Sequence, residues 1–534
     1  MLVELSSIEA TDAARVGPKA ANLAALGRAG LPIPEGFCLL AEAYRMQIAA
    51  LGLEATAREV FSAEDMPARR AALQMRMKLM EQPVVAEIQE PLVAAWREMT
   101  RHAAVPGVVR SSALVEDRNG SSFAGQFESF LGIDNETDFL TAVRACWAAL
   151  WAPRALRYMA THDLDPASTA MALLMQPLVA ARTAGGGLSQ SAEGGMLINA
   201  TPGLGAAIAQ GEVAPDRYEL GRNGVLRDSH AAIDYHQAGC VHLPRLSRAP
   251  ARKKMCLSTV QVEELGQLML KAEAVMGMPV EIEWAMDDAG FKLLQSRPLH
   301  LDDRPATVPD QIWLRQPRLR GQPAGVGWAT GRACVVNCEC EVSRVAPGDV
   351  LVTRMAGPAL GRVLAIVAGV VSELGGSTSH LASLARERCV PMVLGVAGAT
   401  MQIPDGSQVA VDGVGGIVRW MANHYVVTRY SFLVPGQSAT RNKGRETGED
   451  MTQRIRGITD QEAVGPAREL FEASNRMLGR TANLQRILAH SPYVARWLLP
   501  FIAAVRQPNA GAVSAVRLRN LAVLKTSTIN GCKY

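Results

Sequence analysis

The stretch "VLAIVAGVVSELGGSTSHLASLARERC", residues 363–389, joins an apolar run, a glycine-rich turn and a segment of helical character. His380 ends the turn, after Gly375 and Gly376, which permit a tight backbone and leave room for a large partner. A neutral imidazole is a nucleophile, and a helix start beside it disfavours the imidazolium while favouring a bound phosphate. The turn alone fits two roles for His380: a helix-capping residue or a covalent carrier of a phosphoryl group.

The composition is typical of a soluble protein of three or four domains. The chain has 534 residues, of which 48% are hydrophobic and 20% charged, and its formal net charge is +4. This small charge argues against a nucleic-acid-binding surface, and the longest apolar runs are too short to cross a membrane. The start has no signal-peptide pattern, and scattered cysteines fit a reducing compartment. We therefore expect a cytoplasmic protein with no nucleic-acid or membrane partner.

Two further stretches have residues suited to phosphate. Lys19 follows a glycine and a proline at a helix start in "VGPKAANLAALGRAGLPIPEGFCL", residues 16–39, where it could reach a bound phosphate. Arg110 is predicted to end a strand and face a serine- and glycine-rich loop in "VVRSSALVEDRNGSSFAGQFES", residues 108–129. A solvated surface lysine and an ordinary polar turn explain these two stretches as well, when each is taken alone.

A predicted hairpin provides candidate metal ligands. In "PVEIEWAMDDAGFKLLQSRPLHL", residues 279–301, two alternating strands flank a turn at Asp287–Gly290. The hairpin can bring Glu283 and Gln295 together, and their oxygens are suited to Mg²⁺ held against nucleotide phosphates. Arg297 could then neutralise phosphate charge. A surface hairpin with polar cross-strand pairs remains the alternative. The three cysteines of "CVVNCEC", residues 334–340, favour a strand with structural thiols over a zinc site.

Together with "GLGAAIAQGEVAPDRY", residues 203–218, these stretches resemble the nucleotide-binding domain of pyruvate phosphate dikinases, phosphoenolpyruvate synthases and rifampicin phosphotransferases. The resemblance covers about residues 1–303 and implies an ATP-grasp-type fold that binds ATP and Mg²⁺. It implies that Lys19 and Arg110 contact phosphates and that Glu283 and Gln295 hold the metal. It also implies that Arg297 lies on the transferring phosphoryl and that Gln176 lies near the adenine.

A second resemblance covers about residues 326–421. The motif "GGSTSH" at 375–380, with "ARE" and "VP" after it, is similar to the phosphohistidine swivelling domain of the same dikinases. This implies that His380 accepts the β-phosphoryl of ATP, with release of AMP and phosphate, and then swings to a second site. Arg297 and Arg110 would assist the transfer. A difference from the family is Ala206, which stands where a glutamate usually follows Gly-Leu-Gly.

The remaining chain resembles neither an acceptor barrel nor the acceptor domain of rifampicin phosphotransferases. Residues 451–534 resemble the start of an all-helical carboxymuconolactone decarboxylase or alkylhydroperoxidase-D-like protein, with Cys532 at the first position of its Cys-x-x-Cys pair. A single cysteine cannot complete a dithiol cycle. We therefore expect a truncated or fused segment without a redox site. Thiol peroxidase activity of this segment is one hypothesis for the chain, beside the two given next.

We expect a multidomain α/β and α+β protein. It would comprise an ATP-grasp-type domain (1–303), a linker (304–325), a β/β/α phosphohistidine domain (326–424), a second linker (425–450) and a short all-α segment (451–534). The expected activity is an ATP-dependent dikinase-type phosphotransferase that acts through His380 on a small-molecule acceptor such as pyruvate or another hydroxyl or enol compound. A separate subunit would hold that acceptor. The alternative is an ATP-binding regulatory or docking module that has lost phosphoryl transfer.

Overall fold

The computed structural model describes residues 1–62, 65–116, 123, 125–191, 194–232, 255–300, 311–337, 339–421, 458–478, 486 and 489–490. Residues Met1–Thr428 and Arg429–Tyr534 form two compact units, and each is described here by itself. Mixed helices and sheets make up the first unit, so the expected α/β and α+β composition is confirmed there. No described helix is both long enough and apolar enough to cross a membrane.

The first unit begins with a five-stranded antiparallel sheet of order β1-β2-β5-β3-β4. Its strands are β1 (Leu2–Glu4), β2 (Phe37–Leu39), β3 (Gly107–Ala113), β4 (Ser129–Ile133) and β5 (Met171–Pro177). Its helices are α1 (Ala13–Arg28), α2 (Ala41–Ala50), α3 (Glu54–Ser62), α4 (Asp65–Glu81), α5 (Ala86–Ala103), α6 (Glu136–Ala149) and α7 (Pro153–Thr161). Helices α5 and α6 bury their apolar faces, including Trp96 and Trp147, against β5 and β3, and α1 and α2 also contact this sheet.

A six-stranded antiparallel sheet of order β11-β10-β6-β7-β8-β9 follows. Its strands are β6 (Thr183–Leu188), β7 (Met196–Pro202), β8 (Asp216–Leu220), β9 (Leu226–His230), β10 (Val280–Asp287) and β11 (Gly290–Pro298). Its helices are α8 (Ala206–Ala209) and α9 (Thr259–Met276), the latter starting at a reciprocal capping box of Ser258 and Gln261. The apolar face of α9 packs around Trp284 on β10.

The third sheet has eight strands in the order β12-β19-β18-β14-β15-β16-β17-β13. They are β12 (Arg318–Arg320), β13 (Gln322–Gly325), β14 (Trp328–Val336), β15 (Val350–Thr353), β16 (Gly369–Ser372), β17 (Met392–Leu394), β18 (Gln408–Asp412) and β19 (Ile417–Trp420). Its helices are α10 (Gln311–Leu314), α11 (His380–Glu387) and α12 (Ala399–Gln402). The strands from β14 to β17 run parallel and are valine-rich, as expected for strands buried on both faces.

The linker predicted at 304–325 differs from the structure in its second half. Residues 318–320 and 322–325 are strands β12 and β13, which form the two edges of the third sheet. Edge strands tolerate proline and charged residues because one side of their backbone makes no ladder bonds, so their sequence resembles a linker. The third sheet with its helices, residues 311–421, is called the histidine domain below.

The later predictions fall mostly outside the described residues. The linker at 425–450 and Cys532 lie there entirely, as does most of the segment 451–534. Within the second unit, α13 (Pro466–Leu478) packs Leu470 and Phe471 with Ala463, Ala467 and Ala489. This helix agrees with a helical segment but does not test the resemblance that the sequence suggested.

Candidate active site

A cavity of about 640 Å³ lies between the first two sheets, and the turn before α11 reaches it. The structure brings every predicted site residue to this cavity. Its lining includes Lys19, Arg110, Gln176, Glu283, Gln295, Arg297 and His380. The lining combines four cationic side chains, which suit phosphate oxygens, with three carboxylates: Lys19, Arg110, Arg154 and Arg297, and Glu116, Glu128 and Glu283.

The hairpin β10–β11 has the register that the sequence predicted. Glu283 lies opposite Gln295, and Glu281 lies opposite Arg297. The register shifts after Glu283, since Trp284 pairs with Leu293, and Leu294 is therefore left out of the pairing. This bulge places the Leu294 carbonyl where it accepts a hydrogen bond from the Arg110 side chain of β3.

Arg110 joins the first sheet to that hairpin. Its Nη2 donates to Glu283 Oε2 at 3.1 Å and to Gln295 Oε1 at 2.8 Å, and its Nη1 donates to Leu294 O at 2.5 Å. The sequence placed Arg110 at a strand end, but it lies in the middle of β3, which continues to Ala113. The strand continues because Ser111 and Ser112 are buried in the ladder with β5 rather than starting a loop.

Glu283 and Gln295 fit a magnesium ion. Both offer oxygen donors on adjacent strands, and Mg²⁺ in nucleotide sites takes one or two protein oxygens with phosphates and waters. Burial opposes ionisation of Glu283, but the neighbouring positive charges, chiefly that of Arg110 and also those of Arg297 and Lys19, outweigh it and lower the pKa of this carboxyl. The described residues contain no cluster of three or more metal-ligating His, Cys, Asp or Glu side chains. With two protein oxygens, the remaining positions of an octahedral Mg²⁺ would be left to phosphates and waters.

Lys19 enters the cavity from the first turn of helix after a kink in α1. The kink is at Gly17, whose φ is +77° and whose added Cβ would lie 2.3 Å from the Ser112 carbonyl oxygen. Lys19 Nζ donates to Ser111 O at 2.7 Å and lies 3.3 Å from Glu116 Oε2. Burial raises the pKa of Glu116, an effect that the charge of Lys19 partly offsets. Glu116 was not predicted as a site residue, although its position beside the loop after β3 was a signal.

Gln176 and Ala206 also line the cavity. The Gln176 amide nitrogen donates to Pro34 O at 3.1 Å. This hydrogen bond fixes the end of β5, and the next two residues, Leu178 and Val179, line the cavity. Ala206 starts α8 and lines the same cavity. A methyl group therefore stands where the related proteins were expected to place a carboxylate.

His380 is the first residue of α11, and its neighbour is the cap. Ser379 Oγ accepts from the Ala382 backbone N–H at 3.4 Å, so the capping role considered for His380 belongs to Ser379. The imidazole Nδ1 is buried and has no hydrogen-bond partner among the residues that the structure describes. Burial lowers the pKa of His380 to about 4, and Arg297 and Lys19 act in the same direction while Glu283 and Glu281 oppose it. The ring is therefore neutral at pH 7, as a nucleophile must be.

Glycines allow the histidine turn to approach the cavity closely. Gly125 has φ +68°, and an added Cβ would lie 3.0 Å from His380 Cγ. An added Cβ on Gly186 of β6 would lie 2.5 Å from Thr378 Cβ. The Gly375 N–H donates to Val213 O at 3.0 Å. These contacts hold the histidine domain against the cavity with His380 inward.

The fold and site define a two-sheet domain with a charged cavity, joined to a second domain that presents a histidine to that cavity. The family profile described as "Pyruvate phosphate dikinase, AMP/ATP-binding domain" matches residues 13–312, which are more than half of the 534. The profile described as "PEP-utilising enzyme, mobile domain" matches residues 345–416. The chain belongs to the pyruvate phosphate dikinase family, as the sequence motifs indicated.

Curated relatives agree with this assignment. The chain is 30% identical to phosphoenolpyruvate synthase of Aeropyrum pernix over 457 residues, which cover 76% of this chain and 56% of that protein. It is 31% identical to phosphoenolpyruvate synthase of Pseudomonas aeruginosa over 451 residues, which cover 78% of this chain and 57% of that protein. The chain therefore spans little more than half the length of the relatives it matches.

The first prediction concerns Gly125. Gly125→Ala should slow any reaction that needs His380 in the cavity at least tenfold, because the methyl group meets the imidazole and the backbone is strained. The measurement is the single-turnover rate at which ATP phosphorylates His380, the reaction proposed in the next subsection. Gly132→Ala is the matched control, because Gly132 also has a positive φ but has no atom within 4 Å of its added Cβ. Equal rates in the two variants would contradict the close contact.

The second prediction concerns pH. Because the pKa of His380 is lowered from 6.5 to about 4, protonation disfavours the arrangement in which the ring is buried. That arrangement should be fully stable above pH 6.5 and should weaken progressively as the pH falls from 6.5 towards 4. The measurement is the NMR titration of the His380 ring, assigned by comparison with His380→Ala. A ring that titrates at its ordinary pKa of 6.5 in the unliganded protein would contradict the burial.

Proposed function

We propose that this chain is the phosphoryl-donor part of a dikinase-type phosphotransferase. ATP would bind in the 640 Å³ cavity, and His380 would receive the β-phosphoryl group. The observation that carries the proposal is the position of a neutral histidine, on its own domain, facing the guanidinium, ammonium and carboxylate groups of a nucleotide-sized cavity. Two antiparallel sheets on either side of that cavity support an ATP-grasp-type fold for the nucleotide domain.

The transfer can be followed from the residues. A ring nitrogen of His380 forms a bond to the β-phosphorus, and the bond from that phosphorus to the oxygen it shares with AMP breaks. Water then takes the terminal phosphoryl group, so that ATP and water yield AMP, phosphate and phosphohistidine. Lys19 and Arg110 hold phosphate charge, and Arg297 stabilises the charge on the transferring group.

Glu283 and Gln295 are the residues that would hold Mg²⁺. When bound, the metal neutralises phosphate charge and orients the phosphate chain. In the structure their oxygens accept from Arg110 instead, at 2.8–3.1 Å. Arg110 therefore keeps these two side chains together, with their oxygens in the cavity.

The acceptor needs a second site, because a nucleotide fills the cavity beside His380 in this proposal. We propose a small hydroxyl or enol compound, with pyruvate as one candidate, bound on a separate subunit. Relatives named phosphoenolpyruvate synthase support a three-carbon acceptor. Residues 451–534 would be an all-helical segment without redox activity, and the protein would act in the cytoplasm.

A regulatory or docking module that binds ATP without transfer is the second candidate. Ala206 favours it, since it lines the cavity at a position where the family commonly has a glutamate. The two candidates differ in one respect only, which is whether His380 becomes covalently modified.

The third prediction separates these candidates. With Mg²⁺ and ATP labelled at the β-phosphoryl, the wild-type protein should acquire acid-labile, base-stable label, and His380→Ala should acquire none. Glu283→Ala should lower the labelling rate at least a hundredfold, because it removes the only predicted carboxylate ligand of the metal.

The control is ATP affinity, measured by equilibrium binding in each variant. His380→Ala should bind ATP as the wild type does, which shows that the cavity is intact. Wild-type protein that binds ATP and remains unlabelled would favour the module. Unchanged labelling of Glu283→Ala would refute its assignment as a metal ligand.

A further inference from the structure

A buried carboxylate connects the cavity to the histidine domain. Glu281 on β10 has only 5% of its surface exposed. Its Oε1 accepts from Arg297 Nη2 at 3.0 Å, and its Oε2 accepts from Arg386 Nη2 at 2.7 Å. Ser383 Oγ lies 3.0 Å from both carboxylate oxygens and 2.7 Å from Arg297 Nη2. Two guanidiniums and one hydroxyl thus share a single carboxylate.

The members of this cluster come from two domains. Glu281 and Arg297 face each other on the hairpin β10–β11, whereas Ser383 and Arg386 lie on α11. His380, Ser383 and Arg386 are spaced by three residues and therefore share one face of that helix. The helix face that presents His380 to the cavity is also the face that binds Glu281.

The charges make this contact specific to the docked arrangement. Burial lowers the pKa of Arg386 and opposes ionisation of Glu281, yet the two arginines together lower the pKa of Glu281. Removing one partner of a buried pair leaves an uncompensated charge and is strongly unfavourable. Arg386 also donates to Ser377 O at 2.6 Å and Ala324 O at 3.2 Å, both within its own domain. Arg386 therefore keeps hydrogen bonds when the domain leaves, whereas Glu281 loses one of its two cations.

We propose that Glu281 is a positioning residue that couples docking of the histidine domain to the placement of Arg297. In the docked state Glu281 is shared between Arg386 and Arg297, and Ser383 gives Arg297 a second partner beside His380. When the domain leaves, Glu281 binds Arg297 alone. Arg297 is thus held by both Glu281 and Ser383 only when the histidine domain is docked and His380 is in the cavity. This coupling discourages transfer from ATP to water. The coupling to transfer rests on the function proposed above, but the docking contact does not.

The fourth prediction concerns docking itself. Glu281→Gln and Arg386→Met should each increase the hydrogen-exchange rate of the Gly375 N–H about tenfold or more, because this amide bonds to Val213 O across the two domains. Arg332→Met is the matched control, since it removes an arginine that pairs with Asp349 inside the histidine domain. Unchanged hydrogen-exchange rates of the amides in β14–β16 will show that the histidine domain remains folded in each variant. Exchange of Gly375 at the wild-type rate in both variants would overturn the proposal.

The same variants test the coupling to transfer. The single-turnover rate of His380 labelling should fall about tenfold or more in each, while the ATP dissociation constant stays within about twofold of wild type. The double variant should be no worse than Glu281→Gln alone, because the charge pair that Arg386→Met removes is already lost in Glu281→Gln. Arg386→Lys should recover part of the rate. Rate losses that multiply in the double variant would overturn the coupling.

Failure of the proposed function and failure of the role proposed for Glu281 would give different results. If the wild-type protein never labels His380, the proposed function fails, and the exchange of Gly375 still decides whether Glu281 anchors docking. If labelling occurs and is unaffected by Glu281→Gln and Arg386→Met, the proposed function stands and the positioning role of Glu281 is rejected.

Discussion

The arrangement of the site depends on the register of one hairpin, β10–β11. Because side chains alternate along a strand, pairing Glu283 with Gln295 also pairs Glu281 with Arg297. The first pair faces Arg110 and the cavity, and the second pair faces α11. A slip of one residue would turn all four side chains to the opposite face. The bulge at Leu294 adds an acceptor for Arg110, which ties the hairpin to the first sheet.

The parallel strands of the third sheet hold the turn that precedes His380. In the proposed function His380 moves between two sites and must be held rigidly on its own domain, and β16 leads from a buried valine-rich core into the turn before His380. Glycines at 125, 186 and 375 then let that turn meet the first two sheets without side chains between them. The docked structure combines close backbone approach with a charged contact at Glu281, and polar contacts of this kind are more readily broken than a continuous apolar interface.

Much of this site could be predicted from the sequence because it follows from local rules. The alternation of side chains along the two hairpin strands predicted that Glu283 faces Gln295. The glycine turn followed by a helical pattern predicted that His380 lies at the start of a helix. The predictions for Arg110 and for residues 318–325 failed for a different reason. Small polar residues occur both in loops and in paired strands, and edge strands tolerate proline, so composition does not locate those boundaries. Glu116 and Glu281 were not assigned, because their partners Lys19 and Arg386 are about a hundred residues away in the chain.

The identity of the nucleotide product tests the central claim most directly. Wild-type protein incubated with Mg²⁺ and ATP, without an acceptor, should release AMP in amounts equal to the phosphohistidine found in the peptide that contains His380. Transfer of the β-phosphoryl to His380 requires this equality, and His380→Ala should release no AMP in the same period. Formation of ADP in place of AMP, or phosphorylation outside that peptide, would contradict the account.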